Sequence, residues 1–323
     1  NSVAFSNEVR YVASGSDDTT VHIWSVESGE SLYVLKGHTR PVNSVSFSLA
    51  GKEIVSGSQD NTVRIWSVET GECLHVLEGH TRPVNSVSFS HVSEGENICV
   101  VSGSYDTTVR IWTIKSGGIA EVKVLNGHSD FVLSVAFSMD DKHVVSGSSD
   151  CSLILWDVES EKAIKILTEF NNKEAASNLM AFYHMYNPEN ATQDNIEKIL
   201  IKYRGHQEKM FQKLFKKYNV LLTAQTQYKR PQEGHSDVII SVAFSSDGKN
   251  ILSGSKNNII HVWDVESGRT VQMVNLGRHA TQQRKDISVM SLAFSPDGRS
   301  IVSSCDVGAS PSTFSMSNHS RLK

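Results

Sequence analysis

The chain is short of the residues that mark most catalytic and membrane architectures. It has 6 prolines and 4 cysteines in 323 residues. No apolar run approaches the roughly 18 residues that a membrane-spanning helix requires, so a membrane partner is not expected. Cys73, Cys99, Cys151 and Cys305 stand far apart with no C-x-x-C pair, which removes the close spacing that a zinc site or a redox dithiol needs. An excess of one charge is also lacking. The 31 Lys and Arg face 35 Asp and Glu, a net of −4. That balance argues against direct nucleic-acid binding, because phosphate neutralisation calls for clustered cations. There is no Gly-Lys-Ser/Thr phosphate loop and no Gly-x-Ser-x-Gly nucleophile elbow, so no motif asks for a cofactor. No charged-then-apolar leader opens the chain. The expected compartment is therefore intracellular and reducing, the cytoplasm first and the nucleus second, and the sequons at Asn190 and Asn318 are chance matches. With 39% hydrophobic and 20% charged residues, full disorder, collagen and coiled coil are excluded. The length suits two compact units or one large all-β unit.

What the chain has is repetition. Residues 37–48 read GHTRPVNSVSFS, and residues 79–90 repeat the same twelve letters. Looser copies run over 127–138 and 234–245, with a partial one, SVMSLAFS, at 288–295. Asn1 to Ser6 enters such a copy where Asn43 stands in the second, as a piece of a longer protein would. A Ser-Gly-Ser step follows at 14–16, 56–58, 102–104, 146–148 and 253–255, and a Trp follows each step. All five tryptophans (Trp24, Trp66, Trp112, Trp156, Trp263) hold this one position. The period is about 42 residues, with one far longer gap between Trp156 and Trp263.

Within a period the pattern is one of short strands. Val45 and Phe47 alternate with polar neighbours, Ile54-Val55 makes a second run, and Val63 and Ile65 share a face opposite Arg64 and Trp66. Leu32, Val34, Val76 and Val122 belong to a fourth run, with Ser-Gly-Ser and Glu-Ser/Thr-Gly as turns. Four strands in one period cannot bury both faces alone, whereas repeats stacked radially can.

A Gly-His opening, an Asp shortly before a Trp and a period near 42 resemble the WD40 repeat family. The likeness covers everything except a stretch near 168–232. Trp-Asp itself occurs only at Trp156-Asp157 and Trp263-Asp264. The fold class implied is all-β: a WD40 β-propeller of about six recognisable blades, the first and last incomplete, with an α-helical insertion. Blades 1–4 are expected over 1–167, the insertion over 168–232, blades 5–6 over 233–306 with the sixth incomplete, and a disordered tail over 307–323.

Each full unit carries a His, a Ser, an Asp and a Trp. The sets are His38, Ser56, Asp60, Trp66; His80, Ser102, Asp106, Trp112; and His128, Ser146, Asp150, Trp156. In the next, His235, Ser253 and Trp263 recur with Asn257 in place of Asp. One reading is a Ser-His-Asp hydrolase triad. The other, which the resemblance implies, is a structural network with Asp orienting His, His meeting Ser, and Ser accepting the Trp N–H. Repetition favours the structural reading, since a catalytic site is normally built once. The same repetition argues against metal binding by the His and Asp pairs. Asn257 can hold a hydrogen bond without charge, so its blade is expected to be slightly weaker.

The insertion reads as three amphipathic helices, a mini-bundle or lid. The first lies within 173–186. The second is capped by Thr192 with Ile196, Ile199, Leu200 and Tyr203 on one face, and the third groups Met210, Phe211, Leu214, Phe215 and Tyr218. Ten Lys and Arg against six Asp and Glu make it basic, most simply a solvated helix face.

The resemblance implies a non-catalytic scaffold that mediates protein–protein interactions within a multiprotein complex. Partners would be proteins or peptides on the face bearing the His and Asp loops. Arg40, Arg82, Asp130 and Asp237 follow the Gly-His steps there, and Tyr105 and Lys256 precede the repeated acid position. Tyr105 and the two Arg are the best anchors, because aromatics and Arg dominate hot spots. The alternatives are the sensor portion of a larger signalling NTPase or kinase, and the substrate-recognition subunit of a ubiquitin ligase. With both ends incomplete, the ring is expected to close poorly and to associate through its free edge.

Overall fold

A computed structural model describes residues 1–91, 98–115, 118–167, 179–180, 182–184, 187–202, 210, 213–214, 217, 235, 237–276, 288–295 and 300–306. Its strands form six antiparallel sheets, each wound in chain order. Blade 1 is β1 (Ser2–Phe5), β2 (Tyr11–Gly15), β3 (Val21–Ser25) and β4 (Ser31–Leu35). Blade 2 is β5 (Val42–Phe47), β6 (Glu53–Ser58), β7 (Val63–Ser67) and β8 (Cys73–Leu77). Blade 3 follows with β9 (Val84–Phe89), β10 (Ile98–Ser104), β11 (Thr108–Lys115) and β12 (Gly118–Asn126). Blade 4 has β13 (Val132–Phe137), β14 (His143–Ser148), β15 (Leu153–Asp157) and β16 (Ala163–Leu167). Blade 5 has β17 (Ile239–Phe244), β18 (Asn250–Ser255), β19 (Ile259–Asp264) and β20 (Thr270–Asn275). The sixth sheet pairs β21 (Ser288–Phe294) with β22 (Ile301–Asp306). Blade 1, expected to be incomplete, thus has all four strands.

The first strands of successive blades adjoin one another, β1 to β5 to β9 to β13 to β17 to β21. The core lies between blades, not within them, because strand residues alternate between two faces and each face meets a different neighbour. Ile54 and Trp66 pack with Ala13, Val21 and Ile23 of blade 1. Val55, Val63 and Ile65 pack with Val84, Val87 and Phe89 of blade 3. This explains why β7 is buried on both faces while the outer strands keep Leu32, Val34, Val76 and Val122 exposed.

The glycine of each Ser-Gly-Ser step has a tertiary cause. A Cβ on Gly57 would lie 2.7 Å from Val84 Cγ1 and 2.8 Å from Val87 Cγ1, so the next blade can seat only on a bare backbone.

In the insertion, the described helix α1 (Gln193–Lys202) starts at Thr192, whose Oγ1 accepts the Asn195 N–H at 3.3 Å. Leu179, Phe182, Tyr183, Ile196, Met210 and Leu214 form a buried cluster that includes no strand residue. Tyr203, Phe211, Phe215 and Tyr218, like the tail at 307–323, lie outside the described residues.

Candidate functional site

In each set the His and the Asp stand in the loops at one end of the blade, while the Ser and the Trp lie in its second and third strands. In blade 2, Trp66 Nε1–H donates to Ser56 Oγ at 2.8 Å, and Ser56 Oγ is 2.7 Å from His38 Nε2. His38 Nδ1 is 2.8 Å from Asp60. Asp60 also accepts the backbone N–H of Thr39 and Thr62 and the hydroxyl of Thr62. Because the carboxylate can only accept, His38 carries its proton on Nδ1, and Nε2 accepts from the serine. Blade 3 repeats this chain through Trp112, Ser102, His80 and Asp106, with His80 Nδ1 at 2.7 Å from Asp106. Blade 4 repeats it through Trp156, Ser146, His128 and Asp150, with a 3.1 Å contact between His128 Nδ1 and Asp150.

Burial opposes ionisation of these carboxyls. Hydrogen bonds from the paired His and from Thr62, Thr108 or Ser152 outweigh it, so Asp60 and Asp106 are held well below the usual carboxylate range and Asp150 falls to about 2. Desolvation pulls the His80 imidazole below its ordinary range, against the upward pull of Asp106. All four serine side chains (Ser56, Ser102, Ser146, Ser253) are fully buried and already bonded to an indole. Their oxygens face no solvent from which a substrate could approach.

Blade 5 departs from this scheme. His235 Nε2 meets Ser253 at 2.6 Å and Trp263 donates to the same oxygen at 2.7 Å. Asn257, however, accepts from Ser255 Oγ. It does not serve His235, whose Nδ1 is buried without a hydrogen-bond partner. The residue two places on is Ile259, where Thr62 and Thr108 supply a hydroxyl, so an acid here would have one donor fewer. His261, at the register position of Arg64 in blade 2, packs beside His235, the ring centroids 4.5 Å apart, and stacks on Trp263 at 5.2 Å. Burial first, and then His261, hold the His235 imidazole well below its ordinary value.

The outward-facing candidates do not form one patch. Arg40 and Lys256 are exposed and lie in blades 2 and 5. Asp130 and Asp237 are half-buried, and each accepts the next residue's N–H at 2.8 Å, which spends part of their acceptor capacity locally. Tyr105 and Arg82 converge, through a residue that the sequence pattern did not single out. Phe131 stacks on Tyr105 across the blade 3–blade 4 boundary, with centroids 4.3 Å apart and planes 18° apart. The Arg82 guanidinium sits 5.9 Å from the Phe131 ring. The signal for Phe131 was its place in the repeat, where Pro41 and Pro83 stand in the earlier copies. Cys73, Cys99 and Cys151 form no disulfide. No described helix is long and apolar enough to cross a membrane.

The WD domain, G-beta repeat family matches residues 1–25, 29–67, 71–113, 120–157, 226–264 and 277–306. A nuclear distribution protein, nudF, of Aspergillus niger is 28% identical over 288 residues, which is 86% of this chain and 62% of nudF. Ribosomal RNA-processing protein 9 of Saccharomyces cerevisiae is 34% identical over 83 residues, 26% of this chain and 13% of the yeast protein. The anaphase-promoting complex subunit cdc20 of Dictyostelium discoideum is 22% identical over 138 residues, 43% of this chain and 23% of cdc20. The aligned parts of this chain therefore span less than two thirds of each of these relatives.

Proposed function

The chain belongs to the WD40 family, and from that premise we propose that it is a non-catalytic scaffold holding other proteins or peptides in a multiprotein complex. The relatives' names point to ribosomal RNA processing, an anaphase-promoting complex and nuclear distribution. Tasks so different on one repeat favour a shared docking platform over a shared reaction. The buried serines support the non-catalytic reading, and Cys73, Cys99 and Cys151, which form no disulfide, fit a reducing intracellular compartment, the cytoplasm first.

The observation that carries the proposal is the Arg82–Phe131–Tyr105 stack. It places a cation and two aromatic rings at a blade boundary on the turn-bearing face, the composition of a binding hot spot. The near-balanced charge of the chain supports protein in preference to nucleic acid as the partner. Affinity capture from cell extract with the parent, Phe131→Ala and Arg82→Glu tests this. A hot-spot residue is worth about 2 kcal/mol, so recovery of the parent's specific partner should fall about thirtyfold in affinity. Unchanged recovery by folded variants would place the docking surface elsewhere.

A further inference from the structure

Each four-stranded blade ends in an outermost strand, and that of blade 3 differs from the rest. β12 has 9 residues, whereas β4, β8, β16 and β20 have 5, 5, 5 and 6. Its ladder with β11 runs through six unbroken rungs, from Thr108–Asn126 to Thr113–Glu121, before a bulge. The other outermost strands reach a bulge after three rungs, or after four in blade 5. The local cause is the residue after the Trp. Ser25, Ser67, Asp157 and Asp264 each accept, on the side chain, the N–H three residues on, which turns the chain. Thr113 instead stays in the ladder opposite Glu121, and its β-branch suits the extended backbone.

A long regular edge is a template for another strand, which is why natural sheets keep edges short. Among the described residues, no strand pairs with the outer side of β12. This edge lies on an interior blade, away from both ends of the chain. Its own residues single out the occupant. β4, β8 and β20 carry no Asp, Glu, Lys or Arg, and β16 carries only Lys165, but β12 carries Glu121 and Lys123. Set antiparallel to a second copy about Val122, each Glu121 stands opposite the other copy's Lys123, and Val122 opposite Val122. The alternation of ladder bonds allows slips only in steps of two residues. A slip of two either way sets Glu121 on Glu121 or Lys123 on Lys123, which like charge disfavours. Val122 and Val124, each 37% exposed, lie on the opposite face of the strand from the charges and gain cover in the pair. Lys123 Nζ donates to the Val158 carbonyl at 3.0 Å, which leaves two of its three hydrogens for a carboxylate.

We propose that the β12 edge is a homodimerisation surface. Two copies pair β12 to β12, antiparallel about Val122, and join their third blades into one eight-stranded sheet with two Glu121–Lys123 pairs across the two-fold axis.

Analytical ultracentrifugation of the whole chain and three variants tests this. The parent is expected to shift from monomer toward dimer as its concentration rises. Glu121→Lys puts two cations on each edge and Lys123→Glu two anions, so each alone should self-associate at least about tenfold more weakly. Mixed in equal amounts, the two variants meet with opposite charges and should recover the dimer. Both substitutions in one chain should recover it too. If Lys123→Glu fails to fold, Glu121→Lys decides the case, because it keeps the bond from Lys123 to Val158. Hydrogen exchange at Glu121 to Val124 should then slow with concentration in the parent and not in this variant. A parent that stays monomeric overturns the proposal, and so does a dimer that either charge reversal leaves intact, or a mixture of the two variants that does not associate. Concentration-independent protection of these amides also overturns it, because a segment of the same chain would then hold the edge.

Discussion

Replacing Asp106 with alanine is the sharpest perturbation of the repeated network. The carboxylate holds His80 Nδ1 at 2.7 Å, the Thr81 N–H at 3.1 Å, and the Thr108 N–H and hydroxyl at 3.0 and 2.6 Å. Thr81 is exposed and can turn to water. The His80 side chain is fully buried and cannot. Leaving one buried donor unpaired costs about 1–3 kcal/mol, and the loss of charge assistance places the expected destabilisation near the upper half of that range. The pH dependence follows from the two shifts. Asp106 is lowered from 3.8, so its contribution is present above that value and is lost as the pH falls below it. In the variant, His80 also loses the carboxylate that favours its charged form. The gap between parent and variant should therefore hold or widen from pH 6.5 to 3.8 and close only below that. Urea midpoints across pH measure this, with hydrogen exchange at Ser102–Ser104 locating the loss in blade 3, since repeat arrays need not unfold as one unit. An unchanged midpoint and slope at pH 7, or a gap that persists undiminished at pH 2, would refute the reasoning.

Other expectations rest on single features. Blade 5 should be the first described blade to loosen in acid: His235 titrates well below 6.5, so the unfolded chain gains a proton the blade refuses, and stability present above pH 6.5 is lost as the pH falls from there. Exchange at Ile251–Ser255 should rise before exchange at Ser102–Ser104, and simultaneous onset would contradict this. Asn257→Asp should supply the missing acceptor for His235 Nδ1 and raise blade 5 stability by about 1 kcal/mol at pH 7, less than the full charged-bond value because Ile259 brings no hydroxyl. A lower melting temperature would mean that His261 has already closed that geometry. Thr107 holds φ +71, a region costly for a β-branched side chain, whereas blade 2 places Asn61 at φ +70. Thr107→Asn should therefore stabilise by about 1 kcal/mol, read as a higher melting temperature.

The separation between what the letters carried and what they did not follows the range of the interactions. The Ser-Gly-Ser steps read as turns lie at the ends of the second strands. Strand order and, in blades 2 to 4, the His-Ser-Asp-Trp sets were legible, because they repeat within one blade at fixed spacing. Their physical causes, period-2 burial and a buried indole N–H that needs an acceptor, act over short stretches of chain. Helix α1 was legible for the same reason, from Thr192 and the spacing of Ile196, Ile199 and Leu200. Features that depend on a neighbouring blade were hidden. Phe131 reads as a substituted proline until the fold brings it from the loop before β13 onto Tyr105 in the turn before β11. Asn257 reads as a weaker Asp until Ser255 takes its oxygen and His261 closes on His235. The glycine of each Ser-Gly-Ser step reads as a turn residue. Only the packing of one sheet on the next makes a glycine obligatory at that step, because one Cβ is as wide as the gap that the following strand must enter.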